Sequence, residues 1–189
     1  HRLGIELAHP CVLAAWHPVT ILHDTNAEAD ALFAAISTFA GQFLFVYPNS
    51  DAGSHALIER TRTLATSRPD THIFVNLDAI TYWSLLGQVD AMIGNSSSGI
   101  MEAASFAIPV VNVGIRQQGR ERGRNIIDAP PEALAIDSAL QHALNPAFRN
   151  QLAGMENPYG SGDAARIIAR ALAETPLDSI LIKQPVPIS

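Results

Sequence analysis

The stretch Gly94-Asn-Ser-Ser-Ser-Gly-Ile-Met-Glu102 concentrates side chains and backbone able to hold an anion. It follows the apolar run Asp90-Ala-Met-Ile93, which reads as a short buried strand, and leads into Glu102-Ala-Ala-Ser-Phe-Ala107, which reads as a helix. A strand-to-helix turn presents backbone N–H groups and the positive end of a helix dipole, and phosphate is the usual anion at such a place. Ser96 and Ser97 add hydroxyl donors, and Gly94 and Gly99 allow a ligand close to the backbone. Glu102 is expected about a turn and a half into the helix, facing the same mouth, where a carboxylate can accept from the neighbouring hydroxyls of a ribose. The pattern therefore reads as a nucleotide-diphosphate site. A serine cap needs no ligand, and capping alone accounts for the local pattern equally well. Neither a Walker A loop nor the G-x-G-x-x-G dinucleotide fingerprint is present in this stretch.

Further polar residues follow other apolar runs. His17 stands just after one and before Pro18; a lone histidine is usually structural, but at such a mouth it can donate to phosphate. Tyr47-Pro-Asn-Ser-Asp-Ala-Gly53 is either a tight turn capping the next helix through Ser50 or Asp51, or a loop offering Asn49 to a ligand. Arg116 comes shortly after Gly114, which ends a strand, and a planar guanidinium there suits bidentate contact with phosphate. Arg120, Arg122 and Arg124 read as loop or salt-bridge residues, and Asp163 as the cap of the last helix.

The elements that must position these groups alternate. Expected strands are Cys11–Trp16, Phe43–Tyr47, Thr71–Val75, Asp90–Ile93, Val110–Val113 and Asn125–Asp128. Between them lie a helix opening at Asn26 with an apolar face of Leu32, Phe33, Ile36 and Phe39, and another built on Leu57, Ile58 and Leu64. A third is capped by Asp78 and carries Ile80, Trp83, Leu85 and Leu86. Pro130-Pro131 is expected to start the next helix, followed by a short one over Pro146–Ala153 and an amphipathic one over Asp163–Glu174. Continuous apolar strands alternating with helices predict an α/β domain, a doubly wound parallel sheet covered on both faces, with ligands outside the carboxyl ends of the strands. Residues 1–189 are read as a single Rossmann-like domain.

The chain has 189 residues, 48% hydrophobic and 16% charged, ample for a core and unlike a disordered chain. A net charge of −6 offers no footprint for nucleic acid, so a phosphate must be held by local donors. Cys11, the only cysteine, rules out an intrachain disulfide and fits a reducing cytoplasm. The histidines show no metal spacing, so no metal is expected, and no apolar run approaches the ~18 residues of a membrane span.

The serine turn, Pro109-Val-Val-Asn-Val-Gly114 and Arg116-Gln-Gln-Gly-Arg-Glu-Arg-Gly-Arg-Asn125 together resemble the UDP-N-acetylglucosamine 2-epimerase family, its hydrolysing branch above all. His17-Pro-Val19, Tyr47–Gly53 and Tyr159-Gly-Ser-Gly-Asp163 match that branch in the same order. The acidic Asp-Ser-Gly-Gly form of the non-hydrolysing branch is not found at the serine turn. The resemblance implies the second domain of a two-domain glycosyltransferase-B-type enzyme that binds a UDP-sugar without a cofactor, its N-terminal domain lying outside this sequence. It also implies that Ser96 and Ser97 contact the diphosphate, Glu102 the ribose, Arg116 and His17 the phosphates as groups that act in the reaction, and Asn49 the cleft. Val75-Asn-Leu-Asp78 would lie near the uracil, without the aromatic residue that relatives carry there. On this reading the chain alone is inactive, the whole protein releases UDP and N-acetylmannosamine or a related sugar, and a homodimer is expected. The rivals are the nucleotide-binding half of a glycosyltransferase and a stand-alone nucleotide-sugar module.

Overall fold

The computed structural model describes residues 3–19, 27–47 and 54–176. The chain divides into two compact units, His1–Pro158 and Tyr159–Ser189. In the first, strands β1 (Cys11–Ala15), β2 (Gln42–Tyr47), β3 (Thr71–Val75), β4 (Ala91–Gly94), β5 (Val110–Val113) and β6 (Ile126–Ala129) form one sheet. Every pairing is parallel and the order is β3-β2-β1-β4-β5-β6. Helices α1 (Ala27–Thr38), α2 (Ser54–Ser67), α3 (Ala79–Leu86), α4 (Ser97–Met101), α5 (Ala133–Leu144) and α6 (Pro146–Gln151) accompany it. The expected doubly wound sheet is therefore present, and chain order reverses between β1 and β4. The helices that follow those two strands, α1 and α4, pack on opposite faces of the sheet and leave a crevice at the strands' carboxyl ends, where such sheets bind ligands.

Alternation along β1 divides its side chains between two cores. Val12 and Ala14, continued by Trp16, face α1 and α5 in a cluster rich in phenylalanine: Phe33, Phe39, Phe43 and Phe45. Cys11, Leu13 and Ala15 face the other way, toward Leu85, Leu86, Val89 and Ala103. Both faces of β1 are thus buried, which explains its uninterrupted apolar run. At the amino end of the sheet Asp90 ties elements together. Its carboxylate accepts from the Cys11 N–H at 2.8 Å and from Arg149 at 2.8 Å, and pairs with His9 at 2.5 Å.

Several expected details change. The helix near the serines begins at Ser97, inside the serine run, because Ser96 is extended and its hydroxyl accepts the Ser98 N–H. It ends at Met101, so Glu102 is its C-cap and not an interior residue. A 3₁₀ turn over Ala103–Phe106 follows and is closed by Ala107 in the left-handed region. Pro109, two residues on, prevents further winding. Pro130-Pro131 precedes α5 without entering it, since Glu132 is still extended and serves as its N-cap. In α3 Asp78 does cap, accepting from the Thr81 N–H. That helix spans only two turns, and the face that carries Leu85 and Leu86 leaves Ile80 68% exposed.

The second unit holds α7 (Ala164–Glu174). Asp163 takes the N-cap position, but its carboxylate makes no capping bond; it accepts instead from Arg166 and Ser161. No helix among the described residues is long and apolar enough to cross a membrane.

Candidate functional site

The crevice between β1 and β4 is organised by Asn95, which is completely buried. Its side chain closes a two-way clasp on the backbone of His17. The His17 N–H donates to Oδ1 at 2.8 Å, and Nδ2 donates to the His17 carbonyl at 2.8 Å. Its own carbonyl accepts from Arg116 Nη1 at 3.0 Å and from Gln117 Nε2 at 2.8 Å. One residue thereby joins the ends of β1, β4 and β5. Gly94 makes this approach possible: its φ is 135°, and a Cβ there would lie 2.1 Å from the Ala15 carbonyl oxygen.

An open cleft of about 430 Å³ occupies the crevice, with Ala15, His17, Asn76, Tyr82, Ser96 and Ser98 among its walls. Ser97, half-buried, is the first residue of α4. Glu102 lies one helical turn beyond Ser98 and shares Oε2 between two donors, Ser98 Oγ at 3.1 Å and Trp83 Nε1 at 2.9 Å. Tyr82 Oη is 2.7 Å from Ser98 Oγ. Since the serine proton points to Glu102, the phenol donates to the serine. Burial pushes the Tyr82 pKa up to about 12 against the pull of the Ser98 bond, and the Glu102 charge adds to the rise, so the phenol stays protonated.

Glu28, at the start of α1, is a buried carboxylate at this end of the sheet. It lies against Gly114, whose φ of 75° and absent Cβ leave room for it; a Cβ would meet Glu28 Oε2 at 2.5 Å. Burial raises its pKa, more than the Ile115 N–H lowers it, and Oε2 has no hydrogen-bond partner. Beyond Gly114 the arginines divide their work. Arg116 braces Asn95, Arg122 pairs with Asp128 at 2.7 Å, Arg124 donates to the Ala153 carbonyl and Arg120 points to the Met101 sulfur.

The structure thus brings His17, Ser96, Ser97, Glu102 and Arg116 to one end of the sheet, while Asn49 lies outside the described residues. Asn95, Tyr82, Trp83, Gln117 and Glu28 belong to the same neighbourhood without having been singled out. An asparagine directly after a strand-ending glycine was the one available signal; the others depend on which face of α3 and α1 turns inward. Two further clefts hold no comparable convergence. One, of about 240 Å³, runs between residues 3–7 and α3, and another, of about 690 Å³, lies beside Arg122–Arg124 and Gly154–Pro158. Among the described residues no group of three or more His, Cys, Asp or Glu side chains is arranged to hold a metal ion.

Residues 2–173 match the family model described as UDP-N-acetylglucosamine 2-epimerase. The chain is 35% identical over 185 residues to the UDP-N,N'-diacetylbacillosamine 2-epimerase (hydrolyzing) of Legionella pneumophila, covering 97% of this chain and 48% of that protein. It is 33% identical over 186 residues to the GDP/UDP-N,N'-diacetylbacillosamine 2-epimerase (hydrolyzing) of Campylobacter jejuni, covering 96% and 48%. In fold it resembles the crystal structure of the Neisseria meningitidis UDP-GlcNAc 2-epimerase bound to UDP-GlcNAc, with a TM-score of 0.65 and 17% identity over 90% of this chain and 46% of that one. The chain spans about half the length of the curated relatives it matches. By the extent of the family match and by its likeness to hydrolysing members, the chain belongs to the UDP-N-acetylglucosamine 2-epimerase family.

Proposed function

We propose that residues 1–189 are the UDP-binding half of a hydrolysing UDP-N-acetylglucosamine 2-epimerase-type enzyme. The observation that carries this reading is the convergence at the β1/β4 switch point: the Asn95 clasp on His17, the serine-headed α4, Arg116 beside them and Glu102 one turn further. Ser96, Ser97, His17 and Arg116 take the diphosphate, Glu102 takes the ribose hydroxyls, and Asn49 contributes to binding the UDP-sugar. Residues 75–78 face the base. Fixed donors around a departing diphosphate stabilise the charge that grows as the C1–O bond breaks. The base that removes the C2 proton, and the acid that serves hydration of the resulting glycal, come from a domain outside this chain. The products are UDP and the 2-epimerised amino sugar.

Two measurements test the reading. Calorimetry on this chain should show UDP binding more tightly than uridine; equal binding, or none, would remove the diphosphate site. The whole gene product, given UDP-N-acetylglucosamine or its N,N'-diacetylbacillosamine counterpart without an acceptor, should release UDP and the 2-epimerised sugar. Release that requires a sugar acceptor would make the protein a transferase. Turnover by this chain alone at the full protein's rate would overturn the division of labour between domains.

A further inference from the structure

We propose that Trp83 is a positioning residue that aims the Glu102 carboxylate at the ligand's ribose and so makes the site selective for ribonucleotides over 2'-deoxyribonucleotides. The inference rests on the nucleotide reading above and adds a residue that lies outside the serine, histidine and arginine motifs.

A glutamate side chain at the end of a short helix has three rotatable bonds and, left alone, points its carboxylate into water. Here one oxygen, Oε2, is fixed from two directions. Trp83 Nε1 reaches it from α3 at 2.9 Å, and Ser98 Oγ reaches it from within α4 at 3.1 Å. Ser98 is itself held by Tyr82, the neighbour of Trp83, at 2.7 Å. Both donors fall on the same oxygen, so Oε1 is left to receive an incoming hydroxyl, and its direction is set before the ligand arrives. The ordering of a flexible carboxylate then does not have to be repeated at each binding event. The indole suits this task. It offers a single N–H and no acceptor, so it cannot turn round and compete for the ligand's hydroxyl protons.

Trp83 is not held in place for the sake of the core. It is 44% exposed, whereas Trp16, the other tryptophan, is 1% exposed. An exposed tryptophan on a two-turn helix contributes little by burial, and its one polar group goes to Glu102.

The test measures UDP and 2'-deoxy-UDP binding by calorimetry for the wild-type chain, Trp83→Phe, Trp83→His and Tyr82→Phe, with urea midpoints recorded for each. The wild type is expected to favour UDP by at least about tenfold, the lower bound for one hydrogen bond to a charged group. Trp83→Phe keeps the ring and loses the donor; its preference should fall to about threefold or less with an unchanged urea midpoint. Trp83→His restores a donor and should regain part of the preference. Tyr82→Phe loosens Ser98 from the other side and should lower the preference less. Excited at 295 nm, Trp83 should also report UDP binding by a change in emission, which Trp83→Phe abolishes while Trp16 emission persists. A wild type that binds no UDP overturns the nucleotide reading itself. A wild type that binds UDP and 2'-deoxy-UDP alike overturns the inference and leaves the diphosphate site standing. Full discrimination in Trp83→Phe overturns it as well.

Discussion

Replacing Asn95 tests whether the mouth is held by one side chain. In Asn95→Ala the His17 N–H and carbonyl both lose their 2.8 Å partners. Two such bonds contribute about 0.5–1.5 kcal/mol each, and a stranded buried partner costs about 1–3 kcal/mol. His17 is only half-buried, so water recovers part of that cost, and a loss of about 2–4 kcal/mol is expected. That is a large share of the roughly 5–15 kcal/mol that stabilises a typical domain. Urea unfolding at neutral pH reads it as a lower midpoint at unchanged slope. Asn95→Asp sharpens the test because it keeps size and the acceptor for His17 N–H but sets a carboxylate against the His17 carbonyl. The folded state then favours the protonated acid, whose O–H can replace the lost donor. The pKa of that carboxyl is raised on folding, so the deficit should be largest above neutrality and should shrink as pH falls through the raised value. An Asn95→Ala midpoint within about 0.5 kcal/mol of wild type, or an Asn95→Asp deficit independent of pH, would refute the assignment of Asn95 as the clasp.

Other expectations follow from neighbouring residues. Arg116→Ala should weaken UDP binding by about 1.5–3 kcal/mol and spare uridine, while Arg120→Ala should cost less than about 0.5 kcal/mol, both by calorimetry. Equal losses for UDP and uridine with Arg116→Ala would mean that it only braces Asn95. Glu28 has a raised pKa from burial, so its charged form strains the fold: the stability it permits is full below its unfolded pKa and declines as pH rises through the folded value. Glu28→Gln should therefore gain melting temperature over wild type as pH rises above the unfolded carboxyl value, the gap levelling off once pH passes the folded value, and a gap no larger at pH 8 than at pH 4 would contradict this. The Cys11 thiol is buried and pushed up to about 12 by burial and by Asp90. It should not react with iodoacetamide at pH 8 until urea unfolds the chain.

Much of the fold was legible because β1, β2, β4 and β5 are buried on both faces almost throughout. Thr71–Val75 and Val110–Val113 fall where apolar composition put them, and Asp78 caps α3 as expected. Two boundaries were misread for a common reason. Helix starts are set by the residue that caps, and Ser96 and Glu132 take that role through extended backbones that apolar periodicity does not report. The exposure of Ile80 and Trp83 was hidden for a different reason: an apolar residue on a two-turn helix cannot be assigned a face without its neighbours. The turn residues of the site were legible as types, glycine, serine and arginine after strands. The supports were not. Tyr82, Trp83, Gln117 and Glu28 act across distances along the chain that no local pattern encodes.

The strand order has a consequence for how the mouth comes into being. The first three strands form one half of the sheet and the last three the other, and the strands of the two halves pair only where Val12 to Ala15 lie beside Ala91 to Gly94. Each half can grow by adding the next strand along the chain, closing comparatively short loops. The seam between them joins His17 to Asn95 across 78 residues and carries a larger loop-closure cost. The crevice is therefore completed only by a strongly non-local step in the assembly: an intermediate with the first half alone ordered lacks its serine wall, and one with the second half alone lacks the walls from β1, β2 and α3. A chain severed in the α3–β4 connection would leave two fragments whose reunion creates the crevice. A ligand spanning the seam would then drive their complementation by mass action, as it would any association that builds its own binding site.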